Sequence, residues 1–300
     1  MTSSPAPRRA KDFRSFAKLA GKDELPKLTT QEIDHYLEAQ HRSAGSLLAA
    51  FRLSKDQAFL REAMEKFPNN PQVLLASLQL FGDPAKRLEM LEKLKLADPD
   101  NGLADCLSAR SLFDLGKNDE AFASLSQFAG KPIRDYTVLS SQDVEEAYLA
   151  AGFSPIEAKT ISLYQSSKSL VLEMRAVADG LKKMRENHQS AGDDEAVQSS
   201  RDIQLQMARE AQNGGFLVDS LIAISIEKRV FKEIDTPEAR ARMEEMELQK
   251  NSMTEGTNRV SALMENAYVP ESDWLLYFDR AKLFGEKAAN DWMLGKYPDL

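Results

Sequence analysis

The chain has 300 residues, 42% of them hydrophobic and 29% charged, enough apolar material for one large domain or two ordinary ones. Its 39 basic against 47 acidic side chains leave a net charge of −8, which argues against sequence-independent nucleic-acid binding, since that needs a basic surface to displace counterions. No apolar run reaches the ~18 residues that a membrane span requires, and the single cysteine, Cys106, excludes an intrachain disulfide and a cysteine-rich metal site and fits a reducing cytoplasm.

Residues 1–28 read as a loose tail containing Pro5, Pro7, Gly21 and Pro26. Within it Arg8, Arg9, Lys11, Arg14 and Lys18 stand against Asp12 as a basic arm that could touch an anionic surface. The first twenty residues hold no apolar stretch of the secretory kind. From Thr29 onward the periodicity is helical, with predicted helices over 30–42, 43–53, 55–67, 70–81, 84–97, 101–115, 117–129, 140–151, 154–166, 168–190, 193–212, 215–234, 236–267 and 271–293. Starts are marked by capping boxes at Thr29–Glu32, Ser54–Gln57 and Ser154–Glu157, and by a cap before proline at Asp83-Pro84 and Thr236-Pro237. Gly82, Gly116, Gly130, Gly152 and Gly192 mark stops. Only Ile133–Leu139 has the look of a short extended piece. Most links are two to five residues long, which makes consecutive helices antiparallel neighbours. The expected class is all-α, built from helical hairpins.

In the segment 29–131 one stretch is especially regular. Asp98-Pro99-Asp100-Asn101 leads into a helix over Leu103–Leu115, Gly116-Lys117 turns the chain, and a second helix begins near Ala121 and ends at Lys131-Pro132. This resembles a tetratricopeptide repeat, with small Ala109 and Ala121 where that family brings two helices close and larger Leu112, Leu125 and Phe128 where it packs them. Phe67-Pro68-Asn69-Asn70-Pro71 resembles the same inter-repeat turn, and Ala191-Gly192-Asp193-Asp194-Glu195-Ala196 repeats the central one. Gly116 and Gly192 are 76 residues apart, not two periods of ~34, so residues 132–167 interrupt the array, and 132–213 is expected to hold one degenerate unit. Asp105 stands where the family has an aromatic. The chain as a whole also resembles bacterial helical proteins carrying such repeats, a likeness that implies no activity. What the resemblance implies is an alpha-solenoid whose first helices line a concave face, with Gln72, Gln79, Arg110, Asp114, Lys182 and Glu186 near it.

The segment 214–300 differs. Residues 214–234 form the most apolar helix, with Asp219 read as a cap or a surface position near Gly214-Gly215. Ala239, Met243, Met246, Lys250, Met253, Thr257, Val260, Met264 and Ala267 fall at spacings of four and three, a stripe expected to pack on a tryptophan helix, with Lys250 marking where the helix faces solvent. That second helix carries Trp274, Phe278, Ala281, Gly285, Ala288 and Trp292 on one face. The two together predict a long antiparallel hairpin over 236–293, a possible surface for self-association.

Chemistry-bearing patterns are sparse. Glu32-x-x-His35 and Glu38-x-x-His41 have the spacing of carboxylate–histidine metal pairs, but both sit on one predicted helix, whereas a di-metal bundle draws on several. His188, the third histidine, falls at a packing position. The four Gly-Lys pairs are followed by Asp23, Asn118, Pro132 and Tyr297, never by the Ser or Thr of a phosphate-binding loop. No nucleophile elbow and no His-Glu-x-x-His is present. The sequence therefore predicts a cytoplasmic, non-enzymatic scaffold without cofactor or metal that holds a peptide or helix of a protein partner. The rival expectations are a self-associating structural protein and a helical hydrolase or metalloenzyme using scattered acids.

Overall fold

A computed structural model describes residues 25–128, 130–134, 136–166, 171–266 and 268–300. Most of the 1–28 tail, its basic arm included, and Ala267 of the methionine stripe lie outside the described residues. Those described form fifteen α-helices and one 3-10 turn, with no strand among them. The helices are α1 (Thr30–Ala39), α2 (Ala44–Ser54), α3 (Gln57–Lys66), α4 (Pro71–Ser77, followed by the 3-10 turn Leu78–Leu80), α5 (Pro84–Ala97), α6 (Leu103–Asp114), α7 (Asn118–Phe128), α8 (Thr137–Ala150), α9 (Pro155–Ser166), α10 (Val171–Ala191), α11 (Asp194–Gln212), α12 (Leu217–Phe231), α13 (Pro237–Glu265), α14 (Glu271–Phe284) and α15 (Glu286–Lys296).

The caps explain the boundaries. Thr29 N–H donates to Glu32 Oε2 at 2.7 Å while Glu32 N–H donates to Thr29 Oγ1, the reciprocal box that satisfies two free donors at the start of α1. Ser154 and Glu157 do the same for α9. Asp83 accepts from Ala85 N–H, with Pro84 at the first position of α5. At Ser54 the expected box is displaced: Ser54 is the last residue of α2, its hydroxyl donates back to Ala50 O, and Asp56 caps α3. Ser54 is held by the helix it ends, which leaves the nearer carboxylate to accept from the next one.

The described chain divides into two compact units, each drawn from separate stretches of sequence. The first comprises Met1–Ala76, Tyr136–Lys168 and Gly256–Leu300. In it α2 packs on α1, α3 and α8, α8 on α9, α9 on α14 and α14 on α15. Its aromatic core joins Trp274, Tyr277 and Phe278 to Ile156, Val260 and Met293. Tyr277 is kept in this core by a hydroxyl that donates to Asn290 Oδ1 at 2.8 Å. Glu145 of α8, almost fully buried, is held by Lys159 of α9 and Lys282 of α14, each at 3.1 Å. Burying a carboxylate is costly unless it is paired in this way.

The second unit comprises Ser77–Asp135 and Ser169–Glu255. Here α6 packs on α5, α7 and α10, and α12 packs on α10 and α11. Its core joins Leu112, Leu125 and Phe128 to Leu181, Met184, Met207 and Ile226. Asp219 accepts from Phe216 N–H at 3.1 Å, so of its two expected roles it takes the cap, and at 3% exposure it is no surface position.

The predicted helix 271–293 is two helices. Gly285, at φ +88°, ends α14 and opens α15. The break rotates the register, so α15 buries Ala289, Asn290 and Met293, while Ala288 is exposed and Trp292 half-buried under the Arg280 guanidinium at 4.9 Å. Along α13 the stripe is buried at Ala239, Met246 and Val260 and open at Lys250 and Thr257. Met264 packs with the Trp274 cluster, whereas Met246 belongs to the other unit.

Candidate functional site

Two hairpins of the second unit are built alike. The α6–α7 turn ends with Gly116 at φ +72°, Gly116 N–H donating to Phe113 O at 3.0 Å and Lys117 N–H to Leu112 O at 2.9 Å. The α10–α11 turn repeats this with Gly192 at φ +75°, Gly192 N–H donating to Gln189 O at 3.2 Å and Asp193 N–H to His188 O at 3.0 Å. Both are the left-handed cap that glycine adopts without a Cβ clash. Inside each hairpin a serine of the second helix bonds the first: Ser124 Oγ donates to Asp105 O at 3.0 Å, and Ser200 Oγ donates to Leu181 O at 3.4 Å. Every residue of the first set lies 76 positions before its counterpart. The two first helices, α6 and α10, pack on each other, and much of the intervening chain (Tyr136–Lys168) belongs to the other unit.

That register also sets the two hairpins' differences side by side. Ala109 and Phe128, both fully buried, correspond to Arg185 and Gln204, which are equally buried. In place of an apolar contact, Arg185 Nη1 donates to Gln204 Oε1 at 2.7 Å. The rest of the guanidinium is taken by Glu233, which follows α12, with Nε to Oε2 at 2.8 Å and Nη2 to Oε1 at 2.9 Å. A two-pronged charge-assisted pair is the geometry that lets an arginine enter a core. Asp105, at the position where the repeat resemblance expects an aromatic, is 1% exposed and ion-paired with Lys131 at 2.9 Å and Lys95 at 3.5 Å. Cys106 beside it is fully buried, and burial pushes its thiol up to about 12, with Glu173 and Asp105 adding to the rise. We expect Cys106 to resist a thiol-specific reagent in the folded chain and to react once urea unfolds it.

Of the six positions suggested by the repeat resemblance, Gln72 lies in the first unit and the other five in the second. Gln72 is half-buried in the first turn of α4, its N–H donating to Asn70 Oδ1. Gln79 is exposed in the 3-10 turn. Arg110 and Asp114 form a pair at 3.0 Å on α6, and Lys182 and Glu186 form one at 3.5 Å on α10. The structure thus brings four of them onto two packed helices.

The histidines are dispersed. His35 is exposed on α1; His41 is exposed beyond the end of α1 at φ +52°, so the two Glu-x-x-His pairs do not share a helix. His188 is half-buried with Nδ1 3.2 Å from Asp193 Oδ2. Among the described residues no group of three His, Cys, Asp or Glu side chains is placed to hold a metal ion, and no helix is long and apolar enough to cross a membrane.

The first unit presents apolar side chains on α14, where Leu276, Leu283 and Phe284 are each at least half exposed. They lie seven and eight residues apart, so one helical stripe is bare while the opposite one is buried in the Trp274 core. Sequence reasoning missed both this stripe and the Arg185 site. The first could have been found from Phe284-Gly285-Glu286, a glycine stop followed by an acidic first-turn residue; the second has no local sign. Compared with family models, curated proteins and solved structures, the chain finds no significant match.

Proposed function

We propose that this protein is a non-enzymatic scaffold that binds a peptide or helix of a partner on a tetratricopeptide-like surface of stacked helical hairpins. The observation that carries the reading is the matched construction of α6–α7 and α10–α11, same turn and same interhelical serine bond. A hairpin cannot bury both of its faces alone, so equivalent hairpins stack and leave their first helices side by side. Arg110, Asp114, Lys182 and Glu186 stand on those first helices, where each pair is a solvent-facing one worth about 0.3–0.5 kcal/mol. A partner's charges can replace such pairs at little cost. Gln79 belongs to the same unit as that surface and Gln72 to the other, and the buried free thiol suits a cytoplasmic setting on this reading.

The test is quantitative affinity capture with the full chain and with a variant carrying R110E and K182E, both of which should fold as the parent does. A partner retained by the parent and lost from the variant supports the proposal. Equal recovery by both, or turnover of a substrate by the purified chain, overturns it.

A second reading rests on the bare α14 stripe: self-association through Leu276, Leu283 and Phe284. Sedimentation of the parent against L283K/F284K decides it, a dimer that dissociates in the variant being the supporting result and a strict monomer at high concentration the opposing one.

A further inference from the structure

The bare face of α14 carries two charges as well as Leu276, Leu283 and Phe284. At about 100° per residue, Leu276 and Leu283 fall within about 20° of each other and mark the midline of that face. Asp279 stands about 60° to one side of Leu276, and Arg280 about 40° to the other. Both lie between the two leucines along the axis, so the face runs apolar, charged, apolar.

Arg280 stays charged at any working pH. Among the described residues it has no ion pair and no hydrogen bond, and its Nε is buried. Its guanidinium lies over the Trp292 indole at 4.9 Å from the centroid. Lys296, the second cation over that ring at 5.5 Å, is paired with Asp273 at 2.6 Å, and no described carboxylate does the same for Arg280. Stacking on an aromatic orients the planar fork but leaves its charge unmatched. Asp279 is the complement. Its Oδ1 accepts from Lys159, which Glu145 also holds at 3.1 Å, and its side chain is 46% exposed, so Oδ2 is open to a second donor. Within one chain the two cannot meet, because consecutive residues of a helix do not face each other.

A second copy supplies the match. Set two α14 helices face to face and parallel, about a two-fold axis along them. Leu276 then meets Leu276, Leu283 meets Leu283, and the Arg280 flank of each copy lies against the Asp279 flank of the other, so the ion pair forms twice. Turned antiparallel, the same face puts Arg280 against Arg280 and Asp279 against Asp279, and like charges oppose the contact. We infer that the chain forms a two-fold dimer through parallel α14 helices, with Leu276, Leu283 and Phe284 as its apolar seam and two Arg280–Asp279 pairs across it. The inference rests on the self-association reading and adds to it the orientation and the register. An arginine stacked on a tryptophan beside exposed apolar side chains is also what interface centres are enriched in.

The test is sedimentation equilibrium of the full chain. The parent should dimerise. R280D and D279R each set like charges together at both contacts and should weaken the dimer by at least about tenfold. An equimolar mixture of the two single variants restores opposite charges at both contacts and should recover the parent's affinity, as should the double reversal D279R/R280D. L276C and L283C should each cross-link to itself on oxidation, whereas an antiparallel pair lets at most one of these positions meet its own copy. Cys106 is fully buried and stays silent in that assay. A parent that is monomeric at high concentration overturns this inference together with self-association. A dimer that R280D leaves intact, a mixture no tighter than its components, or cross-linking at only one position or neither overturns the parallel charge-matched pair alone. Should D279R fail to fold for want of its Lys159 contact, R280D and the two cross-links, which leave Asp279 in place, decide the question.

Discussion

Replacing Arg185 with alanine should destabilise the second unit by about 3 kcal/mol, read as a shift in the urea midpoint and as lost amide protection in α10 and α11. The side chain is 1% exposed and satisfies three acceptor oxygens, two on Glu233 and one on Gln204. Its removal leaves a cavity, a buried Gln204 Oε1 without its donor beside an Nε2 that already has no partner among the described residues, and a carboxylate without its counter-charge. The expected loss sits at the low end for a buried pair because the Glu233 side chain is 27% exposed and can turn to water. The register between the hairpins supplies a sharper companion. R185A/Q204F copies the Ala109 and Phe128 pair of the earlier hairpin and should recover at least half of what R185A loses. If the double variant is no more stable than the single one, the equivalence of the two hairpins is only a matter of their turns.

In the first unit the largest effect is expected at Trp274. It is fully buried, with ring centroids 5.4 Å from Tyr277 and 6.3 Å from Phe278. W274A should cost about 3–5 kcal/mol, the range for emptying a large aromatic site whose surroundings relax only in part. W274F, which keeps an edge for Tyr277 to meet, should cost clearly less. Exchange protection of α9 and α14 is the measurement, because these helices contact each other around the indole. Retained protection there in W274A would mean that the aromatic cluster is not what joins them.

Much of the local structure was legible from the chain. The reciprocal bonds at Thr29–Glu32 and Ser154–Glu157 and the proline starts at Asp83 and Thr236 involve residues two or three apart, so a linear reading contains all the groups that act. Gly116 and Gly192 were legible as equivalent turns for the same reason. Gly285 was misread because small residues on a helical stripe and a left-handed stop look the same until the backbone is seen. Arg185 was hidden for a different reason. Its presence in a core makes sense only with Glu233, 48 residues away beyond α12, and nothing in the spacing of either residue announces the other. Glu145 with Lys282, 137 residues apart, is the same case in the first unit.

By itself the sequence determined where helices begin, where most of them stop, and that two turns 76 residues apart are alike. These are consequences of short-range bonding between a side chain and the backbone within a turn or two. Only the tertiary structure decided which helices meet: α6 with α10, α2 with α8, α9 with α14. Apolar stripes of similar width can cover one another almost interchangeably, so periodicity names the faces to be buried without naming their partners. The choice falls to shape and to a few buried charges, whose partners come from stretches of chain that are distant in sequence.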